Sequence, residues 1–185
     1  MNERKKCNLQ LYHGTNEKHS RNILQNGFKI QKEKRKDHWL GTGVYFFRED
    51  MEQALVWACD RYKNEKDINE AHVIKYDTDV NNENFLNLDT RGGMSKFKKH
   101  SDEFRRQTRN IKFSSQSVDE LRYLIMNLLP KEYYIVQRTF QVKSSFDNDF
   151  LLGCIQLSLH GTQVCIRNCV DITGGIEVVK TQKTS

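Results

Sequence analysis

A stretch of the chain, residues 38–47, combines a tight glycine turn with an aromatic strand, and this combination suits the binding of a flat ring. Gly41 and Gly43 are separated by one residue, so the backbone there can turn sharply and approach a neighbour closely. Residues 44–47, Val-Tyr-Phe-Phe, have the composition of a short buried strand. Aromatic faces beside such a turn can stack on a ring while the backbone meets its edge.

Two further residues could take part in this chemistry. Leu9, Leu11 and His13 alternate along one predicted strand face, and the strand is predicted to end at Gly14 and Thr15. A histidine at a strand end lies at the rim of a core, where it can meet a ligand, although a structural role is the more common one.

Trp57 is the second residue. It lies at the flank of the apolar stripe of a predicted helix that runs from Met51 to about Lys63 and is capped by Asp50. A tryptophan at that position lines a cleft or forms the edge of the core, and the pattern alone leaves both interpretations open.

The sequence patterns of the helices and strands that must position these residues predict an α+β protein. The last third of the chain has several strand patterns with few helices between them, which favours a largely antiparallel sheet over a doubly wound one. The chain has 185 residues and a single proline, with no proline-rich linker, so we predict one domain over residues 1–185. No GxGxxG motif after a strand, P-loop or HExxH motif occurs.

The net charge and the cysteine content limit the kinds of binding partner and the cellular compartment that we predict. The formal net charge of +6 suits an anionic partner such as nucleic acid, or simply a solvated basic surface. The five cysteines lack metal-ligand spacing, so we predict reduced thiols, no metal site and a cytoplasmic protein. The charged N-terminus does not resemble a signal peptide, and no apolar run is long enough to predict a membrane span.

An ordered series of motifs resembles the PARP-like and diphtheria-toxin-like ADP-ribosyltransferases. It consists of residues 11–15, Leu-Tyr-His-Gly-Thr, a helix ending in Gly27-Phe28, residues 41–47, Gly-Thr-Gly-Val-Tyr-Phe-Phe, and a helix carrying Ala54 and residues 57–58, Trp-Ala. The resemblance covers about the first third of the chain. It implies an ADP-ribosyltransferase-like fold with split, largely antiparallel sheets and flanking helices, and it implies NAD as a substrate.

The resemblance also implies a role for each matching residue. His13 would hold a ribose hydroxyl of NAD, and the Gly14 backbone, followed by Thr15 in the same motif, would bind the nicotinamide carboxamide. Tyr45 would stack on the nicotinamide ring, and a second aromatic residue would close the other side. Direct counting puts that residue at Val56, but helix geometry points Val56 away from the core, so we predict Trp57.

The third family position, usually a glutamate, corresponds to Gln163, which makes the catalytic triad His13, Tyr45 and Gln163. Glutamine can hydrogen-bond a ribose hydroxyl but has no charge and cannot act as a base. We therefore expect transfer of a single ADP-ribose and no long polymer. Two alternatives stay open for the general base: another residue supplies it, with Glu132, Asp171 and Glu177 as the candidates, or the acceptor needs no base.

The resemblance and the basic composition together predict mono-ADP-ribosylation of a macromolecular acceptor, with RNA favoured, then DNA, over protein. Small transferases of this group in bacteria are often toxins paired with an antitoxin protein, or antiphage effectors. The predicted electrostatic footprint for nucleic acid is Arg35, Lys36, Lys96, Lys98 and Lys99.

Two alternatives stay open. One is an RNA 2′-phosphotransferase, for which Arg105, Arg106 and Arg109 could supply a phosphate-binding cluster. The other is a catalytically inactive module that binds NAD, ADP-ribose or RNA, which the uncharged Gln163 supports.

Overall fold

The computed structural model describes residues 6–30, 38–109, 118–141, 160–168 and 175–184. Within these ranges the chain forms seven strands and four helices. The strands are β1 (Lys6–Asn16), β2 (Val44–Arg48), β3 (Glu70–Asn81), β4 (Phe85–Asn87), β5 (Ile135–Gln141), β6 (His160–Ile166) and β7 (Ile176–Lys183). The helices are α1 (Glu17–Asn26), α2 (Met51–Tyr62), α3 (Arg91–Gln107) and α4 (Val118–Asn127).

The strands form one mixed sheet in the order β4-β5-β6-β2-β1-β3-β7. Every neighbouring pair is antiparallel except β4–β5, which is parallel. The α+β class with a largely antiparallel sheet is therefore confirmed. The prediction of split sheets is wrong for the strands described, because β1 and β2 join the two halves, although their ladder contains only two residue pairs.

The helices lie on both faces of this sheet. On one face Ser20 of α1 hydrogen-bonds His72 of β3 at 2.8 Å, and the apolar side chains of that face pack around Phe28 and Phe46. On the other face α2 packs on β1 and β3, while Met126 of α4 contributes to a separate cluster with β4, β5 and β6. No helix in the described ranges combines the length and the apolar character that a membrane span requires.

The predicted cap of α2 at Asp50 is confirmed, and Asn16 caps α1 in the same way. The Asn16 side chain accepts a hydrogen bond from the His19 N–H at 2.8 Å, and Asp50 accepts one from the Gln53 N–H at 2.8 Å. Gly27 ends α1 with a φ of 71°, a conformation that favours glycine. Local capping chemistry thus determines where α1 and α2 begin, as the sequence predicts.

Two glycine-containing stretches whose composition is typical of a turn lie within regular elements instead. Gly92 and Gly93 lie in the first turn of α3, and a Cβ on Gly93 would lie 1.7 Å from the Asn87 carbonyl oxygen, so only glycine fits there. Residues 160–162, His-Gly-Thr, form the start of β6, where Gly161 pairs with Phe140 of β5. In both places packing against a neighbouring element overrides the turn tendency of glycine.

A single arginine supports the end of α4. The Arg167 guanidinium is partly buried just after β6 and donates hydrogen bonds of 3.0–3.4 Å to backbone carbonyls of Asn127, Leu129, Pro130 and Tyr133. Burial lowers the pKa of Arg167. The carbonyls at a helix C-terminus lack partners within the helix, so this side chain satisfies groups that would otherwise be unpaired.

We predict that Arg167→Met lowers the free energy of unfolding by about 2–3 kcal/mol, since hydrogen bonds from a charged donor are lost and buried carbonyls are left unpaired. Denaturant unfolding measures this change. The control is Arg106→Met, whose side chain is 76% exposed in an ion pair with Glu103; we expect a change within about 0.5 kcal/mol. Equal effects of the two substitutions would contradict the proposed role of Arg167.

Candidate functional site

The sheet opens at the seam between β1 and β2. Their ladder ends at the pair Tyr12–Phe47, and beyond it the two strands no longer pair. There the His13 ring reaches across, with its Nδ1 atom 2.8 Å from the Tyr45 carbonyl oxygen. A carbonyl oxygen only accepts hydrogen bonds, so Nδ1 carries the proton and Nε2 is the acceptor atom of the neutral ring.

The same seam determines the direction of the Gly14 backbone groups. The Glu49 N–H donates to the Gln10 carbonyl at 3.0 Å, so the polar groups of Gln10 face β2. Backbone groups alternate in direction along a strand, and those of Tyr12 and Gly14 face the same way. At Gly14 the ladder with β2 has already ended, so its N–H and C=O point into the opening between the strands.

A cavity of about 370 Å³ occupies this opening. All six residues that the sequence predicts for the site line it, although they come from β1, β2, α2 and β6: His13, Gly14, Thr15, Tyr45, Trp57 and Gln163. The structure therefore brings the predicted residues together. Their individual roles toward a ligand stay predictions.

Tyr45 is held by both its hydroxyl group and its ring. The hydroxyl accepts a hydrogen bond from the Leu40 N–H at 2.8 Å and donates one to the Gly41 carbonyl at 2.6 Å. The His38 ring is stacked on Tyr45 with centroids 5.2 Å apart and an interplanar angle of 11°. A flat ring that stacks on Tyr45 would therefore either use the opposite face or replace the His38 imidazole.

Helix α4 contacts the glycine turn at residues 41–43 and supports it, which the sequence does not predict. The Asn127 side chain accepts a hydrogen bond from the Thr42 N–H at 2.7 Å, and the Thr42 and Tyr123 hydroxyls lie 2.8 Å apart. Gly41 has a φ of 88°, and a Cβ there would lie 2.9 Å from the Asn127 side-chain oxygen. The turn that carries Tyr45 is thus fixed by contacts made far along the chain.

Close packing of α2 on β1 brings Trp57 to the cavity. A Cβ on Gly14 would lie 2.1 Å from the Ala54 carbonyl oxygen, so the helix approaches the strand closely only because residue 14 is glycine. Val56, the alternative to Trp57, is 53% exposed and does not line the cavity. Between the two, Trp57 is therefore the one whose position suits contact with a ligand.

Gln163 lies on β6 between Phe47 of β2 and Arg138 of β5. Its side-chain oxygen is buried, and no hydrogen-bond partner for this atom lies among the described residues. A buried acceptor left unpaired costs about 1–3 kcal/mol. A hydroxyl or N–H group of a ligand in the cavity would satisfy it.

Several residues that line the cavity are not predicted from the sequence. The charged or titratable ones among those described are His19, Lys29, His38, Arg61, Tyr62 and Glu65. Arg61 and Glu65 follow Trp57 at intervals of four residues, and this spacing is the signal that could have identified them. The carboxylate at the cavity is Glu65, whereas the proposed bases Glu132 and Glu177 do not line it and Asp171 lies outside the described residues.

The predicted basic residues that the structure describes do not line the cavity. Arg105, Arg106 and Arg109 do not line it. The predicted footprint on α3 is partly engaged within the protein, since Lys98 pairs with Asp102 at 2.6 Å and Lys96 lies over the Tyr133 ring. Arg35 and Lys36 lie outside the described residues.

Comparison of the chain with protein-family models, with curated proteins and with solved structures found no match. The motifs and the geometry described above therefore carry the functional interpretation by themselves.

The contact between Gly14 and α2 can be tested directly. We predict that Gly14→Ala destabilises the fold by about 1–3 kcal/mol, because the new methyl group forces α2 away from β1. The control is Gly92→Ala in α3, where no atom lies within 4 Å of the new Cβ; we expect a neutral effect or up to about 1 kcal/mol of stabilisation. Thermal unfolding measures both variants, and a Gly14→Ala protein as stable as the Gly92→Ala protein would contradict this packing.

Proposed function

We propose that this protein is an NAD-dependent mono-ADP-ribosyltransferase that modifies a macromolecular acceptor, with nucleic acid, and RNA first, favoured over protein. The observation that carries the proposal is the convergence of His13, Tyr45, Trp57 and Gln163 on one cavity at the open seam of the sheet. These residues are up to 150 positions apart in the sequence. Their predicted roles require them to surround one ligand.

The nicotinamide end of NAD fits the groups present at the seam. A carboxamide has one acceptor oxygen and an N–H donor, and the Gly14 N–H and C=O supply the complementary pair. Tyr45 and Trp57 supply aromatic faces for the ring. The hydrogen bonds to the Tyr45 hydroxyl hold its ring in place before the ligand arrives, which reduces the entropic cost of binding.

The nicotinamide ribose fits the two polar side chains beside it. In the neutral His13 ring Nε2 can accept a hydrogen bond from a ribose hydroxyl, since Nδ1 is engaged by Tyr45. The buried Gln163 oxygen can accept a second one. Binding of the ribose would thus give a partner to an acceptor that has none among the described residues.

In the proposed reaction the bond between C1′ of the ribose and the nicotinamide nitrogen breaks, and its electron pair stays on that nitrogen, which becomes neutral. A lone pair of the acceptor nucleophile forms the new bond to C1′, and the acceptor loses a proton to water or to a basic group. Because Gln163 has no charge, the contribution of this chain is mainly to orient the ribose and the ring. That supports a single transfer and not polymer synthesis.

A specific observation supports one of the two alternative functions, the inactive binding module. The uncharged Gln163 suits an inactive module that binds NAD or ADP-ribose without breaking it. The phosphotransferase alternative has less support, because Arg105, Arg106 and Arg109 do not line the cavity.

A labelling experiment distinguishes these functions. The protein is incubated in cell extract with NAD labelled in its adenylate half, beside His13→Ala, and label is measured in the RNA, DNA and protein fractions. We predict label in the RNA fraction that is lost at least about a hundredfold in His13→Ala, because the ribose is no longer held. Binding of NAD without label in any fraction would favour the inactive module, and label unaffected by His13→Ala would contradict the site.

A second prediction separates function from stability at Gln163. Gln163→Leu removes a buried acceptor that is unpaired among the described residues and keeps a similar volume, so we expect the protein to be as stable or up to about 1 kcal/mol more stable. We expect NAD binding to weaken about tenfold, because a hydrogen bond to the ribose is lost. Thermal unfolding and calorimetric titration measure the two effects. A variant that loses stability and still binds NAD normally would assign Gln163 to the fold alone.

A further inference from the structure

Three residues at α2 and just beyond its end line the cavity, and we call them the α2 ligand face: Trp57, Arg61 and Glu65. Trp57 and Arg61 lie within α2 four residues apart, which places them on the same side of the helix, about 6 Å apart along its axis. Glu65 lies in the turn that follows α2, where its N–H donates to the Tyr62 carbonyl at 3.0 Å.

The two charged residues of this face, Arg61 and Glu65, form only a weak ion pair with each other. The Arg61 guanidinium and the Glu65 carboxylate are 3.5 Å apart, and their side chains are 48% and 44% exposed. An exposed ion pair of this kind contributes little to stability. A ligand with greater negative charge can therefore displace Glu65 from Arg61 at little cost.

The end of the cavity near Arg61 differs in chemistry from the end near Gly14. Arg61 also lies over the Tyr62 ring, 5.7 Å from its centroid, and that ring meets His19 of α1 at 6.5 Å. His19 and Asn22 of α1 line the same cavity. This end thus combines a guanidinium, an imidazole and an amide, which are groups that bind phosphate oxygens and sugar hydroxyls.

We propose that Arg61 and Glu65 of the α2 ligand face bind the ADP half of NAD, with Arg61 on the diphosphate and Glu65 on the hydroxyls of the adenosine ribose. The proposal rests on the proposed function and extends it to substrate specificity. The order of groups along the face, aromatic, cation and carboxylate, is the order in which NAD presents its nicotinamide ring, diphosphate and second ribose. Among the described residues lining the cavity, Glu65 is the one carboxylate.

Arg61 suits the diphosphate because a guanidinium binds two oxygen atoms of a phosphate group at once. The diphosphate carries two negative charges, whereas Glu65 carries one, so Arg61 gains by exchanging partners. The released carboxylate then accepts hydrogen bonds from ribose hydroxyls. It also repels the 2′-phosphate of NADP, which makes Glu65 a determinant of the preference for NAD.

Calorimetric titration of the full chain tests these assignments with four ligands: NAD, NADP, ADP-ribose and nicotinamide riboside, which lacks the diphosphate. The variants are Arg61→Gln and Glu65→Gln, and the control is Lys63→Gln. Lys63 lies between them in the sequence, is 55% exposed in an ion pair with Asp60 and does not line the cavity. All three positions are exposed enough that we expect the variants to fold, which thermal unfolding checks.

We expect Arg61→Gln to weaken the binding of ADP-ribose and of NAD at least about tenfold, since the contact with the diphosphate is lost. The affinity for nicotinamide riboside, which has no diphosphate, should stay within about twofold of the wild-type value. We expect wild-type protein to prefer NAD to NADP by at least about tenfold, and Glu65→Gln to lower that ratio toward about one. Lys63→Gln is expected to match the wild type for every ligand.

The possible failures are distinguishable. If the wild type binds NAD and ADP-ribose and Arg61→Gln binds them equally well, Arg61 does not contact the diphosphate. This result would leave the proposed transferase activity unaffected. An unchanged ratio of NAD to NADP in Glu65→Gln would overturn the role of Glu65. Arg61-dependent binding of ADP-ribose, with no transfer of label from NAD, would support the α2 ligand face and overturn the transferase. No binding of any of the four ligands to the wild type would overturn both.

Discussion

The candidate site depends on one interruption in the sheet. Between β1 and β2 the ladder stops at Tyr12–Phe47, and the His13 imidazole takes the Tyr45 carbonyl as its partner. Backbone groups at a sheet interior normally pair with each other, because leaving them unpaired is costly. Here a side chain satisfies one of them, and the polar groups of Gly14 turn toward a cavity. The opening, the orientation of His13 and the position of Tyr45 all follow from this exchange.

The elements around the seam pack so closely that several glycines there cannot be replaced by larger residues without a shift of the backbone. Gly14 allows α2 to pack against β1, Gly43 would place a Cβ 2.4 Å from the Cys165 sulfur, and Gly41 accepts the conformation that Asn127 requires. These glycines bring backbones together as well as forming turns. The buried Gln163 oxygen, by contrast, has no hydrogen-bond partner in the described parts of the chain and is a local energetic cost at the cavity. A tightly packed frame around an unsatisfied polar atom is consistent with a preorganised binding site.

Local chemistry in the sequence predicts the elements that carry the site, but not everything that supports them. Asn16, Asp50 and the Val44–Phe47 pattern locate α1, α2 and β2 because capping and strand alternation act within a few residues. The extension of β3 to Asn81 is not predicted, since its last residues are polar and pair with β1 only through tertiary contact. The long apolar pattern of α4 predicts a core helix, yet Val118 is 73% exposed. The roles of Asn127 and Arg167 depend on distant backbone groups, which no local pattern reveals.

We propose that the seam between β1 and β2 binds the nicotinamide ring of NAD between Tyr45 and Trp57. Ligand-observed NMR of NAD in the presence of the protein tests this, since the protons of the nicotinamide and adenine rings give separate signals. Saturation of the protein should transfer to the nicotinamide protons, whose signals should move upfield because aromatic rings flank them, and both effects should be lost in Trp57→Leu. Transfer to the adenine protons alone, or effects that persist in Trp57→Leu, would contradict the claim.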